Sequence, residues 1–287
     1  MIPSAFEYHA PTSLADAIAL LGSLGDEARP LAGGHSLLPM MKLRFAAPGH
    51  LVDLGRIPDL RGISEVGSFI HIGAMTTENE LVWSALLAEK VPLLVEGARA
   101  IADPQVRYRG TVGGDLAHGD PGNDHPALML ALGAGFALRG ARGERMVAAA
   151  DFFHGPYATE LQPGEVLTRI EVPIPRTGTG WAYEKLKRKI GDFATAAAAV
   201  LLRMDGERVA AVSIVLTNVG PTPLKAADAE RALVGQPLDE AALAEAASLA
   251  MEICDPVPDQ RGDAEYKRAM AGEMTRRALL KARSRAA

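Results

Sequence analysis

The sequence predicts an α+β protein of two domains, on three observations. Its 287 residues exceed the roughly 100–200 of one ordinary domain. A short polar spacer, Thr177-Gly178-Thr179-Gly180, has the flexible composition of a domain boundary. Beyond it strand-like segments come first and helix-like segments after. That order describes sheet and helices in separate layers, not an alternating parallel sheet.

Residues 6–8 read as a short strand. Thr12 and Ser13 offer N-cap hydroxyls before Leu14, Ala17, Ile18 and Leu21, which recur at helical spacing until Gly25. Residues 28–31 form a strand leading into a glycine pair, 36–43 one or two helical turns, and 51–53 another strand. Residues 63–66 and 69–72 form a hairpin over Gly67-Ser68. Thr76 or Thr77 caps a helix through Leu87. A second helix over 93–102 stops at Asp103-Pro104, because proline disfavours helical geometry in the residue before it. A loop with a second glycine pair follows, and Asp124 then caps an apolar helix over 126–132. Residues 136–138 and 146–148 pair over Arg142-Gly143, and the strand over 165–172 ends at Pro173 and Pro175. After the spacer come strands over 181–187, 193–204 and 209–216, then helices over 226–234, 240–253 and 264–284.

Composition narrows the function. With 48% hydrophobic and 23% charged residues, the chain resembles an ordinary soluble globular protein. A net charge of -5 argues against nucleic acid as the main partner. No apolar run nears the roughly 20 residues of a bilayer span. The first residues have neither a basic nor a long apolar region, so no secretory signal is expected and the expected compartment is the cytoplasm. Cys254 is the only cysteine, which leaves this chain no internal disulfide and no cysteine-ligated iron–sulphur or zinc centre.

Two glycine pairs organise the chemistry. Leu31-Ala32-Gly33-Gly34-His35-Ser36 follows a strand; Thr111-Val112-Gly113-Gly114-Asp115 is followed closely by Asp120-Pro121-Gly122-Asn123-Asp124. Glycines let a backbone turn several N–H groups onto one point and admit a ligand where a Cβ would stand. A diphosphate best exploits such amides. Either pair alone reads equally as a tight turn; together they point to two sides of one dinucleotide site. The Rossmann and Walker devices are missing, since Gly133-x-Gly135 follows a helix and precedes a strand. His9, His35, His50, His71, His118, His125 and His154 are scattered, each reading as a surface, capping or loop residue, and no metal ligands are expected. No Gly-x-Ser-x-Gly elbow occurs, and no side chain is expected to serve as a catalytic acid, base or nucleophile. Lys185, Lys187, Arg188 and Lys189 read either as a solvated turn or, with Lys185 first, as a group facing a cofactor. Phe193 reads as core or as a cover over an aromatic cofactor. Lys267, Arg268, Arg276, Arg277, Lys281, Arg283 and Arg285 read as a solvated face of the last helix.

These stretches, together with Tyr183-Glu184-Lys185-Leu186-Lys187-Arg188-Lys189-Ile190-Gly191-Asp192-Phe193-Ala194, resemble the flavoprotein subunits of the molybdenum hydroxylases. Within that family they resemble the medium, FAD-binding subunits of aerobic carbon monoxide dehydrogenases, over essentially the whole chain. The resemblance implies a vanillyl-alcohol-oxidase-type FAD-binding fold of two subdomains, over 1–55 and 56–176, and a C-terminal α+β domain over 177–287. It implies FAD held noncovalently by Ala32, Gly33, Gly34, His35, Ser36, Leu37 and Leu38 around the diphosphate and adjoining flavin. Ala102, Val106, Thr111, Gly114, Asp115, His118 and Asp124 would line the rest, with Leu167, Lys185 and Phe193 further along. The implied partners are a small subunit with 2Fe-2S clusters and a large subunit with the molybdenum cofactor, as a dimer of heterotrimers. The external acceptor would be a quinone or cytochrome at the inner face of the membrane. Relatives acting on N-heterocycles, aldehydes or aromatic thioesters, and stand-alone FAD oxidoreductases, are the alternatives. Three residues depart from the family pattern: Asp115 where Asn is common, His118 where a small polar residue is common, and Phe193 in place of Tyr. An ionised carboxylate at Asp115 would only accept hydrogen bonds and would repel a diphosphate that it faced.

Overall fold

Three main sheets, each with its own helices, build the chain; the computed structural model describes residues 2–286. The first unit contains β1 (Glu7–His9), α1 (Leu14–Leu24), β2 (Ala28–Leu31), α2 (Leu37–Lys42) and β3 (His50–Asp53). β3 lies between β1 and β2 and is parallel to both. Ser13 caps α1 by accepting from the Asp16 amide at 3.1 Å, and Gly25 ends it with a positive φ of 56°. Ala17, Ile18 and Leu21 of α1 pack on Ala28 and Val52. The strand β2 therefore delivers the first glycine pair from a fixed frame.

The second unit begins with β4 (Ile63–Val66) and β5 (Phe69–Gly73). Six helices follow: α3 (Glu78–Trp83), α4 (Ala85–Lys90), α5 (Pro92–Ala100), α6 (Pro104–Arg107), α7 (Val112–His118) and α8 (His125–Leu132). The strands β6 (Gly135–Gly140), β7 (Gly143–Ala148), β8 (Phe153–Gly155), β9 (Ala158–Thr159) and β10 (Val166–Pro173) complete it. An antiparallel sheet of order β4-β5-β10-β6-β7 buries Ile70, Ile72, Phe136 and Ile170 against Leu81, Leu94 and Leu128 of the helices.

The third unit is a meander, β11 (Gly180–Leu186), β12 (Ala196–Asp205), β13 (Arg208–Thr217) and β14 (Leu224–Lys225). The helices α9 (Ala227–Leu233), α10 (Glu240–Glu252) and α11 (Ala264–Arg283) follow. Alternate residues of β12 serve two cores. Ala197 and Ala199 join the second unit's core, whereas Ala196, Ala198 and Val200 pack with the residues of α10 and α11. A strand covered on both faces reads as a continuous apolar run, and its alanines let helices approach from either side.

Four local expectations need correction. The helix predicted from Thr76 or Thr77 through Leu87 is two helices. Thr77 forms a capping box with Glu80, and Ser84 breaks the run and caps α4 through the Leu87 amide. The second glycine pair lies in the first turn of α7, not in a loop. The strand predicted from Phe193 starts at Ala196. The last helix is no uniformly solvated basic face: Lys267 is buried against the Val257 carbonyl and Asp259, while Lys281 and the nearby Arg285 reach Glu96 of α5.

Candidate functional site

The strand β2 ends at Leu31, and the backbone then turns through Gly34, whose φ is 79°. The amides of residues 33–36 donate to no acceptor among the described residues. Gly33 stands so close to the loop before α7 that a Cβ would come within 2.8 Å of the Gly110 Cα and overlap the Arg109 carbonyl. Bare backbone thus meets bare backbone, and four free N–H groups are left at one wall of a cavity of about 470 Å³.

The second pair works differently. Val112 and Gly113 donate to the carbonyls of Thr76 and Ala74, at 3.0 and 2.9 Å, and Gly114 donates to the Thr111 hydroxyl at 3.3 Å. These amides are already used, so of the two pairs only the first leaves its N–H groups without an acceptor among the described residues. Gly113 instead admits close packing, since its Cβ would stand 2.6 Å from the Ala74 carbonyl oxygen. Gly114 leaves room beside Ala32, whose Cβ would be 3.4 Å away from an added Cβ.

Behind these loops lies a buried polar cluster. His125, expected to be a surface, capping or loop residue, is fully buried, and its Nε2 is 2.7 Å from Glu78 Oε2. Burial is the largest single influence and opposes its charge, but the surrounding carboxylates, Glu78 first, together outweigh it and lift the imidazole to about 9. Asp124 stands at the N-cap of α8 as expected, but its side chain makes no capping hydrogen bond. Its side chain accepts from Lys185 Nζ at 2.6 Å and from the Tyr183 hydroxyl, because these groups of β11 offer a stronger, charged partner. Lys185 also donates to the Ala100 carbonyl at 3.3 Å. Asp115 Oδ2 and His125 Nδ1 are buried without a hydrogen-bond partner among the described residues. Burial pushes the Asp115 carboxyl up, His125 draws it down, and Glu78 and Asp124 raise it again, to about 8. The group is therefore largely protonated at neutral pH and can donate, which removes the repulsion expected of an ionised carboxylate.

The rim is set by loop contacts. Phe193 is 45% exposed and not core. Arg261 lies 5.6 Å from its ring centroid and pairs with Asp192 at 2.7 Å, which holds the loop in place. Burial alone would raise the Asp192 carboxyl, but hydrogen bonds from Arg261 and Arg188 bring it down to about 2. His118 lies beside Tyr157, with ring centroids 5.0 Å apart, and burial lowers its pKa. Ala102 has a φ of 45°, a costly conformation for a non-glycine residue.

The FAD binding domain of molybdopterin dehydrogenases matches residues 4–175, and the C-terminal domain of CO dehydrogenase flavoproteins matches 181–282. The chain belongs to the FAD-binding flavoprotein subunits of the molybdopterin dehydrogenases. The carbon monoxide dehydrogenase medium chain of Hydrogenophaga pseudoflava is 57% identical over 287 residues, with 100% of both chains covered. A solved carbon monoxide dehydrogenase of that organism matches at a TM-score of 0.99 and 58% identity, again over 100% of both chains. Quinoline 2-oxidoreductase from Pseudomonas putida 86 matches at a TM-score of 0.95 and 39% identity, over 99% of each chain. The molecule is thus an FAD-dependent oxidoreductase subunit.

This flavoprotein cavity fits its cofactor on its own chemistry. Free amides suit a diphosphate, the apolar walls suit a ring system, and the orphaned polar atoms of Asp115 and His125 await partners. Sixteen of the seventeen residues expected at the cofactor line the cavity. Leu38 does not: its side chain stands against the turn, 3.0 Å from where a Cβ on Gly34 would lie. Glu78, Asn123, His125, Tyr183 and Asp192 were missed as members of the site or of the cluster behind it. Asn123, Tyr183 and Asp192 lie inside the motif stretches themselves, whereas for Glu78 and His125 the signal was proximity, as Glu78 follows the Thr77 cap and His125 follows Asp124. Among the described residues, no helix is long and apolar enough to cross a membrane.

Proposed function

We propose that this chain is the FAD-carrying medium subunit of an aerobic carbon monoxide dehydrogenase. The observation that carries the reading is full-length identity of 57% to such a medium chain, against 39% for the quinoline-oxidising relative. A large molybdenum subunit oxidises carbon monoxide, a small 2Fe-2S subunit relays the electrons, and this subunit delivers them to a quinone or cytochrome. The complex is a dimer of heterotrimers in the cytoplasm, at the inner face of the membrane. FAD, when bound, accepts electrons singly and releases them one or two at a time.

The chain's own part is to bind and orient. Residues 32–37 hold the diphosphate with the open amides of 33–36, and Leu38 supports the turn. Ala102, Val106, Thr111, Gly114, Asp115, His118, Asp124 and Leu167 line the remainder, with Lys185 and Phe193 at the flavin end. Lys185 reaches the site as one half of an ion pair with Asp124, so it fixes the wall more than it adds net positive charge. The subdomains run over 1–55 and 56–176, with the C-terminal domain over 177–287. Co-purification under native conditions is expected to yield three subunits with FAD, iron and molybdenum, and carbon monoxide-dependent dye reduction. A complex that reduces dye with quinoline or an aldehyde but not with carbon monoxide overturns the substrate; a chain that takes up no FAD overturns the cofactor site.

A further inference from the structure

The parallel pairing of β1 with β3 sets Glu7 opposite His50, with His9 two residues along the same face of β1. The spacing of the histidines in sequence hides this, because the strands join residues 41 positions apart. His9 Nε2 and His50 Nδ1 are 3.1 Å apart, and Glu7 Oε2 stands 3.4 Å from His50 Nδ1 and 3.9 Å from His9 Nε2. A hydrogen bond accounts for one of these approaches, but three donor atoms round one point are a different arrangement. A triangle with those sides has a circumscribed radius of about 2.0 Å, close to the about 2.0–2.2 Å of zinc–nitrogen and zinc–carboxylate bonds. Two imidazoles and one carboxylate suit zinc and its neighbours; calcium and magnesium take oxygen ligands.

We propose that Glu7, His9 and His50 form a binding site for one divalent transition-metal ion of the zinc class, outside the cofactor cavity. The two imidazoles are mostly buried and supply the fixed part of the site, whereas Glu7 is 73% exposed and closes on the ion as the mobile third ligand. Water completes the coordination. The ion fastens the three-residue edge strand β1 to β3, the strand on which β2 is registered through Ala28 and His50.

The test is titration of the full-length, tag-free chain, stripped with a chelator, with Zn2+ by calorimetry and with Co2+ by visible absorption. One ion per chain is expected, with Co2+ bands typical of imidazole ligands. The pair of substitutions His9→Gln and His50→Gln is expected to weaken binding by at least about tenfold, while the surface control His154→Gln retains it. Circular dichroism and FAD content check that the variants fold. If the histidine variant fails to fold, Glu7→Gln at its exposed position must lower affinity with the fold intact. No saturable binding by the native chain, or binding unchanged in the folded variants, overturns the site.

Discussion

The Asp115 carboxyl holds a proton that the unfolded chain would have lost, and this gives the buried cluster a pH signature. An unfolded aspartate titrates near about 3.9; in the folded chain burial foremost lifts it to about 8. Across that window the native state binds more protons, so stability falls as pH rises. His125, raised to about 9 by Glu78 against burial, contributes stability that is full below its ordinary range and lost as pH rises through about 9. The flavin-free chain is therefore expected to lose Tm steadily from about pH 5 to about 9, and Asp115→Asn is expected to flatten the acid part of that slope in thermal scans. Lys185→Met strands Asp124 as a buried charge and is expected to cost about 3–5 kcal/mol by urea unfolding. Adding Asp124→Asn is expected to recover much of the loss. The sequence, through its resemblance, named Asp115, Asp124 and Lys185. It gave no reading of Glu78 and read His125 wrongly as a surface, capping or loop residue, because their ion pair spans 47 positions and exists only once α3 and α8 meet.

At the scale of elements, the two glycine pairs separate. Both are visible as breaks in the apolar pattern, but hydrogen bonding alone decides which amides stay free, and two glycines made α7 look like a loop. Gly33→Ala pushes the first loop off residues 109–110 while leaving the three cores untouched. It is expected to weaken FAD retention by about 1–3 kcal/mol, roughly 5- to 150-fold in Kd by fluorescence titration, with little change in Tm of the flavin-free chain. Gly113→Ala has the opposite profile. Its Cβ meets the Ala74 backbone inside the fold, so a loss of Tm with and without flavin is expected. If the two variants behave alike, the division of labour between the loops is wrong.

At the scale of the whole molecule, one carboxylate of α5 ties the second unit to the third. Glu96 accepts from the Tyr183 amide at 3.1 Å, from Lys281 at 2.9 Å and from Arg285 at 2.6 Å, and Arg285 also lies 5.1 Å from the Trp181 ring centroid. Burial alone would raise Glu96, but these donors win and hold it below the ordinary carboxylate range. Its contribution is therefore present above that range and lost as pH falls through the lowered value. Glu96→Gln is expected to lower Tm at neutral pH and to reduce the acid sensitivity of the midpoint. The layering of sheets and helices was legible from element order, yet the placement of β12 between two cores was not, because an alanine run does not reveal which helices will cover it. The cavity's span along the chain has a consequence for synthesis. Its walls run from Arg29 to Phe193, and Arg261 braces the rim from farther on. A ribosome that has made only the first two sheets has exposed the glycine loop but not Lys185, so Asp124 still lacks the cation beside it. A chain truncated before β11 is therefore expected to retain no flavin after purification, whereas one that ends beyond Phe193 regains the whole cavity wall.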